Sequence, residues 1–134
     1  MTLNIRVIAP DRTVWDANAE EVILPSSTGQ LGILTGHIPI LTALDIGVMR
    51  VRITKEWIPI ILFGGFAEVE NNNITILVNG AEETSEIDQN NVQNDLEQAT
   101  NCLAEATTNK EKIEATQNLR KARARVQAIN VLNN

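Results

Sequence analysis

Aromatic residues are scarce in this chain of 134 residues, which contains two tryptophans, two phenylalanines and no tyrosine. Its hydrophobic core must therefore be built mainly from isoleucine, valine and leucine. A single cysteine, Cys102, excludes an intrachain disulfide and leaves too few ligands for a cysteine-based zinc site. Because its apolar neighbours recur at helical spacing, Cys102 is interpreted as a small packing residue rather than a nucleophile.

Basic residues are also in deficit, since 11 lysines and arginines stand against 17 aspartates and glutamates and give a net charge of −6. This balance argues against a nucleic-acid partner and against direct adhesion to an anionic lipid surface, because both require cations. The longest apolar run, residues 57–63, is too short to span a bilayer, and residues 1–6 lack the features of a signal peptide. We therefore expect a soluble chain whose association with any membrane is indirect.

Catalytic motifs are missing as well. His37 is the only histidine, so no second histidine can share a metal with it, and no Gly-x-Ser-x-Gly motif accompanies it. A lone histidine in an apolar loop is more often structural than catalytic, and no catalytic residue is assigned. The glycine pairs at 29/32 and 64/65 lack the lysine and hydroxyl of a phosphate loop, so neither a cofactor site nor a metal site is predicted.

The first 80 residues alternate between short apolar segments and turn residues. Leu3, Ile5 and Val7 are separated by single polar residues, which is the pattern of a strand with one buried face. Similar segments recur, and Pro59 is expected at an edge or a bulge because it cannot donate to a ladder. The pattern predicts hairpins that close a β-sandwich or barrel. The predicted turns lie at residues 10–11, 16–18, 45–47, 64–65 and 71–73.

One stretch, residues 29–41, differs from the rest of this β region. It holds three of the seven glycines, one of the four prolines and the only histidine. Glycine permits positive φ and close approach, whereas the apolar residues between these glycines need a core to bury against. The stretch is predicted to be a shaped loop pinned between strands, with its form fixed by His37 and Pro39.

The pattern changes to a helical one after Gly80. Asp88 is the predicted N-cap of a first helix, and residues 107–109 interrupt the helical pattern before a second helix begins. So short an interruption favours an antiparallel αα-hairpin. The apolar residues at helical spacing are Val92, Leu96, Ala99, Leu103 and Ala106 in the first helix and Ala115, Leu119, Ala122, Val126 and Ile129 in the second.

Charge is distributed unevenly over the two helices. Residues 82–105 carry seven acids and no base, whereas the four bases Arg120, Lys121, Arg123 and Arg125 follow Glu114 with no acid among them. Folding back brings the acidic start of the first helix beside the basic end of the second. The basic cluster either pairs with the first helix or binds an external anion. Because the apolar stripes are narrow and rich in alanine, the hairpin is expected to be weakly held.

Two motifs stand at a fixed distance in the β region, ahead of the helical hairpin. They are Gly29-Gln30-Leu31-Gly32-Ile33-Leu34-x-Gly36-His37-x-Pro39-x-Leu41-Thr42-Ala43-Leu44 and Gly64-Gly65-Phe66-Ala67-Glu68-Val69. With the hairpin that follows them, they resemble a known family, the epsilon subunit of the F-type ATP synthase. The resemblance covers essentially the whole chain, and the length and the asparagine- and isoleucine-rich composition are similar to plastid or cyanobacterial members.

The resemblance implies a non-catalytic rotor subunit of the central stalk. Its β-sandwich, residues 1–84, would bind the gamma subunit and rest on the ring of membrane c subunits. Its helical hairpin, residues 85–134, would lie against the sandwich or extend along gamma toward the alpha/beta catalytic head and inhibit ATP hydrolysis. The implied location is peripheral, on the stromal or cytoplasmic face of an energy-transducing membrane such as the thylakoid.

The resemblance also assigns roles to three sets of residues. The loop that meets the c ring comprises Ser27, Thr28, Gly29, Gln30 and Leu31. The residues that shape this region are Gly32, Gly36, His37 and Pro39. The basic cluster that contacts acidic segments of the catalytic head comprises Arg120, Lys121, Arg123 and Arg125.

Two departures from the family pattern limit these expectations. Some bacterial members bind ATP through an Ile-Asp-x-x-Arg-Ala motif, and residues 87–92 of this chain lack its arginine and alanine. Nucleotide binding is therefore not expected. Gln30 stands where many members carry an acid, so the loop is expected to meet the ring through hydrogen bonds rather than charge.

Two other functions are compatible with parts of the sequence. A free-standing β-sandwich could dimerise through its alanine-rich hairpin, and sedimentation would then show a stable homodimer without affinity for gamma. A small hydrolase that uses His37 is the weaker alternative, because no nucleophile or metal ligand accompanies this residue.

Overall fold

The computed structural model describes residues 2–133, apart from the side chains of Glu86, Leu132 and Asn133. Met1 and Asn134, at the ends of the two predicted domains, lie outside the described residues. The described part contains eight strands, a 3₁₀ turn at Thr84–Glu86 and two helices. The strands are β1 (Leu3–Ala9), β2 (Arg12–Ala19), β3 (Glu21–Ser26), β4 (Gly29–Leu34), β5 (Ile40–Ile53), β6 (Glu56–Glu70), β7 (Asn73–Val78) and β8 (Ala81–Glu83). The helices are α1 (Val92–Glu105) and α2 (Asn109–Asn133).

The strands pair in the order β2-β1-β7-β6-β5-β3-β4, and β8 pairs with β6. Among the described strands only β1 and β7 are parallel, with Asn4 opposite Asn73 and Ile8 opposite Leu77. The other pairings are antiparallel. The predicted fold class, an N-terminal antiparallel β-sandwich followed by a C-terminal antiparallel αα-hairpin, is confirmed with this one parallel pair added.

Strand β6 passes from one layer of the sandwich to the other. Ile60 and Leu62 face the core before Gly64, whereas Ala67 and Val69 face it afterwards. Even-numbered residues are thus replaced by odd-numbered ones on the core side. The strand bends between these segments, and the neighbouring β5 bends with it because the two remain paired from Ile40–Val69 to Ile53–Glu56.

The prediction of a turn at Gly64 and Gly65 is wrong, since both residues lie inside β6. Their φ angles are 82° and 150°, which only glycine adopts readily. A Cβ on Gly65 would overlap the carbonyl oxygen of Leu77 and lie 2.8 Å from the Cα of Val78. The two glycines therefore bend the strand and let β7 approach closely, rather than ending the strand.

Three other predicted turns or loops are parts of strands. Residues 16–18 belong to β2, where Asp16 pairs with Arg6, and residues 45–47 belong to β5. The start of the predicted loop, Gly29–Leu34, is strand β4 at the edge of the sheet, paired along its length with β3. In each case, pairing with the strand that precedes or follows in the chain outweighs the local preference of the residues for turns.

Proline and asparagine placements agree with the sequence pattern. Pro59 pairs with Arg50 of β5, and β8 reaches β6 only at Ile60, so Pro59 lies just beyond that pairing. Asn71 and Asn72 form the β6–β7 turn with φ angles of 52° and 64°, a conformation that asparagine tolerates better than most residues.

The main core is aliphatic, as the scarcity of aromatic residues requires. All its buried members come from strands β1 to β7, so the sandwich encloses a core to which no helix side chain that the structure describes contributes. The bulkiest of them are Leu3, Ile5, Leu24, Ile33, Met49, Ile60, Leu62, Ile74 and Ile76.

The helices form a hairpin that lies back on the sandwich. Helix α1 packs on α2, and α2 crosses the outer face of β5 and β6. There Ala124 and Ala128 pack against Ile61 in a second, smaller buried cluster. The predicted hairpin is confirmed, and its position is the folded-back one. Within the described residues, neither helix is both long and apolar enough to cross a membrane.

Three details of this region differ from the sequence-based expectations. Strand β8 is not predicted, because its three residues are too few to show a period. Helix α1 begins after Asn91, and Asp88 instead accepts hydrogen bonds from the backbone N–H of Asn90 at 3.0 Å and from the side chain of Asn91 at 2.8 Å. Cys102 is exposed and is not a packing residue.

Candidate partner-binding surfaces

The β3–β4 hairpin presents a polar tip to solvent. Beneath the tip lies Ser26, whose side-chain oxygen accepts a hydrogen bond from the backbone N–H of Thr28 at 3.2 Å and lies 3.0 Å from its hydroxyl. Gly29 has a φ of 125° and completes the reversal of the chain. Leu31 packs against the main core. The tip is therefore anchored at both ends. Its exposed residues are Ser27, Thr28, Gly29 and Gln30.

Gln30 is oriented by a neighbouring cation. An Nη of Arg50 donates to the Oε1 of Gln30 at 3.1 Å. A cleft of about 450 Å³ adjoins this pair, and Gln127 and Asn130 of α2 line its other wall. The tip of the β3–β4 hairpin and the end of α2 are therefore neighbours in the folded-back structure.

The turn at residues 35–39 is held by two local contacts. The N–H of Gly36, where φ is 82°, donates to the side-chain oxygen of Asn72 at 2.7 Å. The Nδ1 of His37 lies 2.7 Å from the carbonyl oxygen of Ile38, to which it donates when it carries the ring proton. These contacts link the turn to the β6–β7 turn and direct the imidazole toward its own backbone.

Two other residues of the predicted loop are less constrained. Gly32 lies in strand β4 with open space where a Cβ would stand, and Pro39 is exposed. Nothing in these surroundings requires a glycine at position 32. The shaping role assigned to both residues stays a prediction.

The structure divides the basic cluster on α2 into two pairs. Arg120 and Arg123 are exposed on the solvent side of the helix. Lys121 and Arg125, four residues apart and so on one face, are half-buried toward the sandwich. Both cations lie over the ring of Phe63, with Lys121 Nζ 5.0 Å and Arg125 Cζ 6.0 Å from its centroid.

Arg125 also forms a two-point ion pair with Glu82 of strand β8. Its Nε and an Nη donate to the two carboxylate oxygens at 2.8 and 2.7 Å. The hydrogen bonds that Arg125 donates to Glu82 raise the pKa of Arg125 above its ordinary value, and Asp95 of α1 adds a weaker attraction. The predicted meeting of acidic and basic segments thus occurs, but the main acid lies in β8 rather than in α1.

An exposed apolar surface covers the outer side of β5, β6 and β7 and is missing from the sequence-based predictions. Leu41, Phe66 and Leu77 are 71%, 57% and 53% exposed. Phe66 is the direct strand neighbour of Ala43 on one side and of Leu77 on the other. We call Leu41, Ala43, Phe66 and Leu77 the outer apolar face. Contiguous exposed apolar groups of this kind mark interaction sites.

A signal for this face was present in the sequence. Ala67 and Val69 are buried, so period two places Phe66 on the solvent side of β6. An aromatic residue on a solvent-facing position is unusual enough to indicate an interface. The outer apolar face belongs to the layer of the sandwich that α2 does not cover.

The segment at residues 87–92 does not form an open polar site. Ile87 packs against the small cluster under α2, and the carboxylate of Asp88 is engaged with Asn90 and Asn91. Both oxygens of this carboxylate therefore accept hydrogen bonds from residues of the same turn.

Comparison with known proteins finds a matching family model for each of the two parts of the chain. Residues 2–84 match the family model described as the beta-sandwich domain of the ATP synthase delta/epsilon chain. Residues 85–130 match the long alpha-helix domain of the same chain. The chain belongs to the ATP synthase delta/epsilon chain family. The two matches together span both the sandwich and the hairpin.

Close relatives in this family come from plastids and cyanobacteria. The chain is 75% identical over 134 residues to the chloroplastic ATP synthase epsilon chain of Gracilaria tenuistipitata var. liui, with 100% of both chains covered. It is 74% identical over 128 residues to that of Pyropia yezoensis, with 96% of each chain covered. The ATP synthase epsilon chain of Cyanothece sp. is 61% identical over 131 residues, covering 96% of this chain and 95% of its own.

Two solved structures contain chains with the same fold at low sequence identity. A chain in the Euglena gracilis mitochondrial ATP synthase structure, which contains OSCP, F1 and the c-ring, aligns with a TM-score of 0.82 at 19% identity, covering 96% of this chain and 81% of its own. A chain in the central stalk/c-ring structure of the Tetrahymena thermophila mitochondrial enzyme aligns with a TM-score of 0.62 at 18% identity, covering 96% of each. At these identities the similarity is one of fold.

Proposed function

We propose that the chain is a non-catalytic rotor subunit in the central stalk of a proton-translocating F-type ATP synthase. It couples the gamma subunit to the c ring and inhibits ATP hydrolysis by the alpha/beta catalytic head through its C-terminal helices. The observation that carries this proposal is the match of residues 2–130 to the two delta/epsilon domains. The 75% identity to a chloroplastic epsilon chain over the full length supports a place in a photosynthetic membrane.

The proposed location is the stromal or cytoplasmic side of the thylakoid membrane, where the subunit is held indirectly through its complex. The chain consists of two units with different roles. Residues 1–84 form the sandwich that binds gamma and the c ring, and residues 85–134 form the regulatory hairpin. The strand-only core of the sandwich supports this division, because it does not depend on packing by either helix.

The proposed contact with the c ring is the tip of the β3–β4 hairpin. Its support is the exposure of Ser27, Thr28, Gly29 and Gln30 on an anchored turn. Arg50 orients the Gln30 side chain by a hydrogen bond to its Oε1. Because the amide of Gln30 is uncharged, the tip offers hydrogen-bonding groups rather than a carboxylate to a polar surface.

The proposed contact with gamma is the outer apolar face. Three of its side chains are more than half exposed, on neighbouring strands. Exposure of these apolar side chains to water is unfavourable, and a partner that covers the face removes them from water. The hairpin covers the other layer, so gamma reaches this face without displacing α2.

The test compares Phe66→Glu with Ile113→Glu for binding to purified gamma. Both substitutions place a carboxylate at an exposed apolar position, 57% and 61% exposed, but Ile113 lies on α2 away from the outer apolar face. A carboxylate buried without a partner is costly, so Phe66→Glu is expected to weaken binding by about 100-fold. Ile113→Glu should bind as the unaltered chain does.

Two results would count against the proposal. If the unaltered chain fails to bind gamma, the assignment to the central stalk is wrong. If it binds and Phe66→Glu binds equally well, the stalk role survives but the outer apolar face is not the interface.

A further inference from the structure

The contact between α2 and the sandwich is small and built on alanine. Ala124 and Ala128 are the buried helix residues that meet Ile61, with Ile46, Val48 and Phe63 partly buried beside them. An alanine buries one methyl group, so this interface removes much less apolar area from water than a row of leucines would. Polar contacts at its margin therefore have a large share in keeping the helix in place.

The register of strand β8 sets where such a contact can form. Glu82 of β8 is the direct strand neighbour of Ile61 in β6. Directly opposed residues on neighbouring strands project from the same side of the sheet, and Ile61 lies under α2. The Glu82 carboxylate consequently stands beside the helix at the margin of the alanine contact.

Arg125 meets this carboxylate in the geometry that an arginine fork prefers. Two parallel hydrogen bonds of 2.8 and 2.7 Å join the groups, and the side chains are only 29% and 24% exposed. The guanidinium and the Lys121 ammonium also cover Phe63. Phe63 belongs to the same outer surface as Ile61. Its ring therefore contacts both cations of α2, and the Glu82 carboxylate binds one of them, Arg125.

Helix α1 has no comparable attachment of its own. It packs on α2, and only Val92 at its first turn is buried. Movement of α2 away from the sheet would therefore take α1 with it.

We propose that Glu82, Phe63, Lys121 and Arg125 form a clamp that decides whether the hairpin is docked. While the clamp is closed, two of the four cations at residues 120–125 are turned inward and Arg120 and Arg123 alone face solvent. When it opens, all four cations become accessible to an acidic partner segment. Docking thus hides half of the basic cluster. The consequence for ATP hydrolysis rests on the proposed function, whereas the clamp itself does not.

The first test measures amide hydrogen exchange in the isolated full-length chain. Arg125→Gln and Arg123→Gln remove the same charge from the same helix, but only Arg125 belongs to the clamp. Because an undocked helix of this composition frays, exchange over residues 115–129 should be about tenfold faster in Arg125→Gln and unchanged in Arg123→Gln. Glu82→Gln should behave as Arg125→Gln does. Unchanged protection in both clamp variants would overturn the proposal.

A check within the same experiment separates undocking from unfolding. Strands β1 and β7 belong to the main core, which contains no helix residue, so their exchange should stay as slow as in the unaltered chain. A charge-swapped chain, Glu82→Arg with Arg125→Glu, should recover part of the lost protection of α2. Failure of this swap to differ from the single variants would show that the two residues do not act as a pair.

The second test concerns ATP hydrolysis by a reconstituted catalytic head. Glu82→Gln leaves the basic cluster intact and opens the clamp, so it should inhibit hydrolysis more strongly than the unaltered chain does. If exchange quickens and inhibition does not change, the clamp stands and the inhibitory role of the hairpin fails. If exchange does not change, the clamp is overturned whatever the hydrolysis rate.

Discussion

Gly65 is the residue whose role changes most between sequence and structure. A pair of adjacent glycines ordinarily indicates a turn. In the folded chain, Gly65 stays extended within β6 at a φ of 150° and lies against the backbone of β7. The absence of a side chain is what lets the strand cross between the two layers. The requirement for glycine at this position comes from Leu77, twelve residues further along the chain. The sequence around Gly65 does not reveal this contact.

We expect Gly65→Ala to destabilise the sandwich by about 3 kcal/mol, because the methyl group would overlap the Leu77 carbonyl oxygen and the φ is unfavourable for alanine. Urea unfolding followed by circular dichroism measures the change. The matched control is Gly32→Ala, which has open space around the added atom and should change stability by less than about 0.5 kcal/mol. Equal effects of the two substitutions would contradict the role given to Gly65.

At the scale of elements, the start of α2 is the best-defined boundary of the hairpin. The Thr108 hydroxyl oxygen accepts a hydrogen bond from the N–H of Glu111 at 3.1 Å, and the Glu111 carboxylate accepts one from the N–H of Thr108 at 3.4 Å and another from that of Thr107 at 3.0 Å. This reciprocal arrangement is a capping box. It ends the connection after α1 and satisfies backbone donors that a helix start leaves unpaired.

The capping box makes the hairpin sensitive to acid. Hydrogen bonds from Thr107 and Thr108 lower the pKa of Glu111 below its ordinary value of 4.5. A lowered pKa contributes stability that is present above pH 4.5 and is lost as the pH falls through the folded-state value. The helical signal at 222 nm should therefore melt at a lower temperature as the pH drops below that range.

Glu111→Gln should remove part of this acid dependence, because the neutral amide can still cap but does not titrate. Glu114→Gln is its control, since Glu114 is an exposed acid one turn further along α2. The measurement is the melting temperature at neutral pH and at acid pH for the three chains. If the unaltered chain and Glu111→Gln lose the same number of degrees, the capping carboxylate is not the group responsible.

At the scale of the whole molecule, the two outer surfaces of the sandwich differ. One layer carries α2, and the other exposes the outer apolar face. In the proposed function, this separation lets the subunit stay bound to gamma on one side while the hairpin docks or leaves on the other. Attachment and regulation then use different surfaces of one core.

Deleting residues 89–134 tests this separation. The shortened chain keeps every member of the main core and the outer apolar face, so it should still bind gamma. ATP hydrolysis by the reconstituted head should rise, because the inhibitory helices are gone. Hydrolysis and co-purification with gamma are measured on the same preparation. Loss of gamma binding would place part of that interface on the hairpin.

Much of the architecture follows from local pattern. The alternation around Leu3 and Ile5, the asparagine turn at residues 71–72 and the interruption at residues 107–109 all predict what the structure shows. Errors occur at residues 16–18 and 29–34, where residues that favour turns are paired along a neighbouring strand. Glycine, asparagine and aspartate favour turns locally, but a paired neighbour overrides that preference.

The candidate surfaces were predictable to a smaller extent. The exposed tip at residues 27–30 lies within the loop that the family resemblance assigns to residues 27–31, and the basic cluster is evident from its charges. The division of that cluster into Arg120 with Arg123 and Lys121 with Arg125 depends on which face of α2 meets the sheet. The outer apolar face depends on three strands being side by side.

Sequence alone therefore settles the order of a β part and a helical part and the aliphatic nature of the core, and the motifs at residues 29–44 and 64–69 indicate the family. The first two properties depend on period and composition, which are local and additive. The docked position of the hairpin, the pairing of Arg125 with Glu82 and the bend at Gly65 were decided by tertiary structure. The β6–β8 register sets Glu82 beside Ile61, and the β6–β7 pairing brings the backbone of Leu77 against Gly65. Register is a property of the paired sheet rather than of any one segment.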